Sequence, residues 1–123
     1  MGDAKKICLI DDEKDFTELT GTLLGFHGFQ VEAINNPVVG LERLKQASFD
    51  VVVVDIMMPQ MNGLDLMEKL RAEEAYAKTP IFALSAKKLS DEERKFLLTN
   101  DIHFVQKPFT PRRLVDLIRE TLG

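Results

Sequence analysis

Five short apolar runs recur along the chain, each followed by a segment whose apolar residues are three or four positions apart. The most apolar run is 51–54, where four valines lead without a polar break into Asp55. Such a run predicts a strand buried on both faces of a sheet. A second run, 29–34, alternates apolar and polar residues, which is typical of a half-exposed edge strand. The remaining predicted strands are 6–10, 81–84 and 102–105.

Amphipathic helices are predicted between the strands, with caps that mark several of their ends. The predicted helices are 15–26, 36–47, 63–74, 90–98 and 110–122. Asn36, Ser90 and Thr110 are suited to cap three of them, and Gly28 is suited to a left-handed end of the first. The expected buried stripe of the first helix is Phe16, Leu19, Leu23 and Phe26.

Strand and helix alternate strictly, five times. This order predicts an α/β fold: a parallel sheet with helices on both faces, in three layers. A doubly wound sheet of five strands commonly takes the strand order 2-1-3-4-5, which places the first, third and fourth strands side by side. At 123 residues, we expect one domain over 1–123 with no further domain in this chain.

Composition narrows the classes of function. The net charge of −4 argues against nucleic acid as a direct ligand, because a phosphate backbone requires a basic face. Cys8 is the single cysteine, so no internal disulfide can form and a reducing compartment is expected. The sequence has neither an apolar stretch of the ~20 residues that a membrane span needs nor a signal-peptide core. We therefore expect a cytoplasmic protein that does not contact a membrane.

Polar side chains follow four of the five predicted strands. They are Asp11 and Asp12 after the first strand, Asp55 after the third, Ser85 after the fourth and Lys107 after the fifth. The carboxyl ends of parallel strands meet at one edge of a sheet, which is where open α/β sheets bind ligands. We therefore expect three carboxylates, a hydroxyl and an ammonium group to converge there.

This combination of groups suits phosphoryl transfer. Three close carboxylates repel one another unless a cation lies between them, and ligands that are all oxygen favour Mg²⁺ over Zn²⁺. A cation and an ammonium group can neutralise the oxygens of a phosphoryl group in transfer. Asp55, central in the predicted sheet, is the best-placed carboxylate to accept that group as an acyl phosphate.

Four segments at these strand ends carry a resemblance to a known family. They are Ile-Asp11-Asp12-Glu, Val-Val-Asp55-Ile-Met-Met-Pro-Gln-Met-Asn-Gly, Leu-Ser85-Ala86 and Lys107-Pro108-Phe109. In this order the chain resembles the receiver domains of two-component response regulators, the CheY-like chemotaxis type, over essentially its whole length. The resemblance implies a flavodoxin-like fold and a signalling switch that assists its own phosphorylation and slow dephosphorylation but is not an enzyme.

The resemblance also implies a role for each site residue. Asp55 would be the phosphoacceptor, served by a histidine kinase or histidine phosphotransfer protein, while the downstream target is unknown. Ser85 and Lys107 would contact the phosphoryl group, and the Lys107–Pro108 peptide bond is expected to be cis. The implied ligands of Mg²⁺, for which Mn²⁺ can substitute, are Asp11, Asp12 (the more direct of the two), Asp55 and the backbone carbonyl of Met57.

Phe104 occupies the position of the aromatic switch residue in this family. The resemblance implies that it turns inward as Ser85 moves toward the phosphoryl group, which changes the face formed by the fourth helix, fifth strand and fifth helix. Because phenylalanine lacks the polar tip that holds tyrosine toward water, we expect an inward bias.

Two other functions use similar parts. A magnesium-dependent phosphohydrolase with an aspartyl-phosphate intermediate would need a second acid where Met57 stands. A docking module that works without phosphorylation would not need the complete set of acceptor, acidic pair and lysine.

Overall fold

The computed structural model describes residues 4–123 and contains the predicted alternation of strand and helix. The strands are β1 (Lys6–Ile10), β2 (Gln30–Ile34), β3 (Val51–Asp55), β4 (Ile81–Ser85) and β5 (His103–Gln106). The helices are α1 (Lys14–Phe26), α2 (Pro37–Gln46), α3 (Gly63–Ala72), α4 (Asp91–Thr99) and α5 (Pro111–Leu122). Within residues 4–123, no helix combines the length and the apolar character needed to cross a membrane.

All four strand pairings are parallel, and the order is β2-β1-β3-β4-β5, as predicted. The register places Asp55 opposite Leu84 and Ser85 opposite Gln106, so the polar strand ends lie along one edge. The carboxyl ends of these strands therefore form one edge of the sheet, and the candidate site lies along that edge.

Two apolar cores cover the two faces of the sheet. On one face, alternate strand residues such as Val52 and Val54 pack with α2, α3 and α4. On the other, Val51 and Val53 pack with α1 and α5. Every residue of β3 is buried, which explains its unbroken apolar run. The predicted three-layer architecture is confirmed.

The predicted buried stripe of α1 is partly wrong. Leu19 is 61% exposed and Phe26 is 82% exposed, whereas Thr17, Thr20 and Leu24 are the buried residues of the helix. The Thr17 hydroxyl donates to the Lys14 carbonyl at 3.0 Å and accepts from the Asn35 amide at 2.8 Å. Because these bonds satisfy its hydroxyl, threonine can occupy the inner face and the leucine and phenylalanine turn outward.

Several helix ends match their predicted caps. Asn36 accepts from the backbone of Val38 and Val39 at the start of α2, and Ser90 forms a capping box at the start of α4. Predicted helix 63–74 is shorter than expected: α3 stops at Ala72 and is followed by a 3₁₀ turn over Glu74–Tyr76.

Candidate functional site

Asp55 is the last residue of β3, and only 5% of it is exposed. Its Oδ1 accepts a hydrogen bond from the backbone N–H of Met57 at 3.1 Å. Burial raises the pKa of Asp55 to about 6, with a further rise from the Asp11 charge; the Met57 hydrogen bond and Lys107 act in the opposite direction. The carboxylate is therefore poised to gain from any positive charge that enters the site.

Two further carboxylates lie beside Asp55. Asp11 is fully buried after β1, where its Oδ1 accepts from the backbone N–H of Glu13 at 3.0 Å, and Asp12 is exposed. Asp11, Asp12 and Asp55 each offer an oxygen within 4.8 Å of the others. Such a set of hard oxygen donors, partly open to solvent, fits a divalent cation such as Mg²⁺. The predicted acidic cluster is thus brought together.

Lys107 reaches the same cluster from the end of β5. Its Nζ lies 2.8 Å from Asp11 Oδ2, 3.4 Å from Asp55 Oδ2 and 3.8 Å from Glu13 Oε1. Burial lowers the pKa of Lys107, but Asp11 first, then Asp55 and Glu13, outweigh it and the net shift is upward. The ammonium group therefore stays charged beside the Asp55 carboxylate. The Lys107–Pro108 peptide bond is cis, as expected.

Ser85 lies on the neighbouring strand, fully buried at the end of β4. Its hydroxyl accepts from the backbone N–H of Lys87 at 3.1 Å and donates to the Lys87 carbonyl at 3.4 Å. Ser85 therefore lies at the edge of the site, and both hydrogen bonds of its hydroxyl are to the backbone of the loop that follows it.

Phe104 is 38% exposed on β5, so its ring lies at the surface. The expected inward bias concerns how often each of two ring positions is populated, and it stays a prediction.

Gly63 is required directly beneath Asp55, a constraint that its place at the start of a predicted helix did not reveal. A Cβ at this position would overlap the carbonyl oxygen of Asp55 and the Cα of Ile56. The Gly63 N–H also donates to the Ile56 carbonyl at 2.9 Å. The start of α3 thus packs against the backbone of Asp55 and Ile56.

Two aromatic rings complete the surroundings of Lys107. The Nζ lies 4.2 Å from the centroid of the Phe16 ring, within the range of a cation–π contact. Phe109 meets Phe16 edge to face, with centroids 5.9 Å apart. In the sequence Phe16 showed only the spacing of a core residue, so its contact with the lysine was missed.

The fold and site together define a class: a doubly wound α/β domain with an acidic cluster and a partly buried lysine at the carboxyl edge of its sheet. A sequence model described as the response regulator receiver domain matches residues 7–119, and the chain belongs to that family. Receiver domains are phosphorylation-dependent signalling switches rather than classical enzymes, and magnesium binding is typical of them.

Individual relatives agree with this assignment. The chain is 32% identical to the "Transcriptional regulatory protein CpxR homolog" of Haemophilus influenzae, covering 95% of this chain and 50% of that protein. It is 30% identical to the "Sensor protein GacS" of Pseudomonas syringae, covering 98% of this chain and 14% of that protein. A CheY-like receiver domain from Methanospirillum hungatei superposes with a TM-score of 0.88 at 28% identity, covering 97% and 94% of the two chains. The chain thus spans about half the length of the CpxR homolog and a smaller part of the sensor protein.

Proposed function

We propose that the chain is a switch in which Asp55 accepts a phosphoryl group from a histidine kinase or a histidine phosphotransfer protein. The observation that carries the proposal is the position of Asp55, buried between the Asp11 and Asp12 carboxylates and the Lys107 ammonium group. An Asp55 oxygen attacks the phosphorus, and the bond from phosphorus to the donor's imidazole nitrogen breaks, with its electron pair left on nitrogen.

Asp11, Asp12, Asp55 and the backbone carbonyl of Met57 would hold Mg²⁺, or Mn²⁺ in its place. When bound, the ion supplies positive charge that offsets the repulsion between the carboxylates and the incoming phosphoryl oxygens. The fit rests on the convergence of the three carboxylates. The Met57 N–H that binds Asp55 supports a role for this backbone segment beside the acceptor.

Lys107 is proposed to bind a phosphoryl oxygen, because its ammonium group already lies 3.4 Å from Asp55 Oδ2. Ser85 is proposed to exchange its hydrogen bonds with Lys87 for one to the phosphoryl group. Its departure would leave room for Phe104 to turn inward, which changes the surface of α4, β5 and α5. A gain of a few kcal/mol is enough to shift a two-state element of this kind.

Neither alternative function has comparable support. Met57 stands where a phosphohydrolase of this type would place a second acid, and its side chain is largely exposed. A docking module without phosphorylation has no need of the assembled carboxylates and lysine. We further propose that 1–123 acts as one cytoplasmic receiver domain whose effect is exerted through a partner or a linked domain.

The test is incubation with acetyl phosphate and Mg²⁺, followed by intact mass, with beryllofluoride as a phosphoryl stand-in for NMR. We expect a Mg²⁺-dependent gain of one phosphoryl group in the wild type and none in Asp55→Asn. Amide shifts with beryllofluoride are expected to change around Asp55 and along α4, β5 and α5.

Asp65→Asn is the matched control, because Asp65 is an exposed aspartate in the first turn of α3. It should behave as the wild type. An adduct that persists in Asp55→Asn, or no adduct in the wild type with either reagent, would contradict the assignment of Asp55 as acceptor.

A further inference from the structure

The Phe16 ring is an uncharged group in contact with the Lys107 ammonium group. The lysine side chain is only 13% exposed, and three carboxylates occupy other directions around its Nζ. The ring face closes a further direction, with its centroid 4.2 Å from the nitrogen. Phe16 itself is held by the edge-to-face contact with Phe109, which follows the lysine on the same loop.

From this geometry we infer that Phe16 is a positioning residue, which holds the Lys107 ammonium group over the acceptor by a cation–π contact. The inference rests on the proposed function and extends it to a residue outside the four motif segments. Phe16 acts through the lysine and does not touch the reacting atoms.

An aromatic ring is suited to holding the ammonium group, because the negative face of the ring attracts the cation without accepting a hydrogen bond from it. The ammonium group has three N–H donors, two of which are used in hydrogen bonds to Asp11 and Asp55. If a phosphoryl oxygen replaces the Asp55 contact, the ring still holds the lysine from another direction and competes for none of those donors. A leucine at this position would fill similar space but lack the negative face of the ring.

The first arm of the test measures phosphorylation. With acetyl phosphate and Mg²⁺, Phe16→Leu is expected to lower the apparent rate constant by roughly three- to tenfold. Phe16→Tyr retains the ring and is expected to stay within about twofold of the wild type. Phe26→Leu is the matched control: it makes the same substitution at a largely exposed site on the same helix, and it should leave the rate unchanged.

The second arm measures the lysine itself, without phosphorylation. In the wild type, the Lys107 ε-methylene protons are expected upfield of those of the other lysines, because the nitrogen bonded to this methylene lies over the Phe16 ring. The ¹⁵N order parameter of the Lys107 ammonium group should fall in Phe16→Leu and be retained in Phe16→Tyr. A role in packing alone would change the unfolding midpoint without separating these two variants.

Ordinary ε-methylene shifts in the wild type would overturn the inference, whatever the variants do. So would an unchanged order parameter and rate in Phe16→Leu, or equal losses in the leucine and tyrosine variants. If the wild type itself forms no adduct, the proposed function fails, while the shifts and order parameters still decide whether Phe16 positions Lys107.

Discussion

The Asp55 carboxylate is buried at a cost in folding stability. It lies at the end of a fully buried strand, next to the fully buried Asp11, so its charge is poorly solvated. Burial is the main reason that the pKa of Asp55 is raised to about 6, and the rise reflects the free-energy cost of the poorly solvated charge. Without a bound cation, the folded protein therefore binds a proton at Asp55 more tightly than the unfolded chain, whose carboxyl group has an ordinary pKa near 3.8.

This difference makes stability depend on pH in a definite direction. Between the two pKa values the folded state holds a proton that the unfolded state has lost, so the free energy of unfolding falls as pH rises. In EDTA at pH 7.5, we expect Asp55→Asn to be more stable than the wild type by up to about 3 kcal/mol. The gain should nearly vanish below about pH 3, where the carboxyl group is protonated in both states.

Urea unfolding at a series of pH values measures this effect. Asp65→Asn, which also removes one negative charge, controls for the change in net charge, because Asp65 is exposed. A gain for Asp55→Asn that is equally large at about pH 3 and pH 7.5 would show that the ionised carboxylate is not the cause.

At the scale of elements, two helices end in the same way with different residues. After α1, the N–H of Phe29 bonds to the Leu24 carbonyl and Gly28 has φ +93°. After α4, the N–H of Ile102 bonds to the Leu97 carbonyl, and the residue with positive φ is Asp101, at +52°. The left-handed position follows the cap by one residue in this motif, and that residue is Asp101.

An aspartate in the left-handed region carries a strain that glycine avoids. Asp101→Gly is therefore expected to raise the free energy of unfolding by about 0.5–1 kcal/mol, after the added flexibility of the unfolded chain is allowed for. Chemical denaturation measures the change.

Asn100→Gly is the neighbouring control. Asn100 has an ordinary φ of −97°, and its side chain donates to the Phe96 carbonyl at 2.8 Å. It should lose stability by about 0.5–1 kcal/mol. Stabilisation of the Asn100 variant, or destabilisation of the Asp101 variant, would contradict the assignment of strain to Asp101.

At the scale of the whole molecule, Arg71 ties together three segments at the edge of the sheet opposite the site. From α3 its guanidinium group donates to four backbone carbonyls at 2.6–3.0 Å. These belong to Tyr76 and Thr79 before β4, and to Asn100 and Asp101 after α4. Burial lowers the pKa of Arg71, and the charge of Asp101 raises it part of the way back.

Arg71→Met should therefore cost about 2–4 kcal/mol in the free energy of unfolding, because the variant leaves several carbonyls without a charged donor. Arg119→Met is the matched control. Arg119 is exposed and donates to the His27 carbonyl at 3.1 Å, so its loss should cost less than about 0.5 kcal/mol. Equal effects of the two substitutions in urea unfolding would show that Arg71 has no special structural role.

The order and periodicity of residues along the chain were enough to predict the architecture and most of the candidate site. Periodicity distinguishes buried strands from amphipathic helices, and their alternation leaves few topologies for a parallel sheet. The carboxyl ends of such strands meet at one edge, so Asp11, Asp12, Asp55 and Lys107 could be placed together from chain order alone. Local caps such as Asn36 and Ser90 were predictable for the same reason, because their partners lie within three residues.

Features that depend on residues far apart in the chain became visible only in the folded protein. The apolar spacing alone predicted burial of Leu19 and Phe26, because it could not show that the Thr17 hydroxyl would accept a hydrogen bond from Asn35. The overlap that requires Gly63, the partial exposure of Phe104 and the contact between Phe16 and Lys107 likewise depend on packing. Hydrophobic patterns encode which face of an element is buried, but not the distances and directions between side chains that meet only after folding.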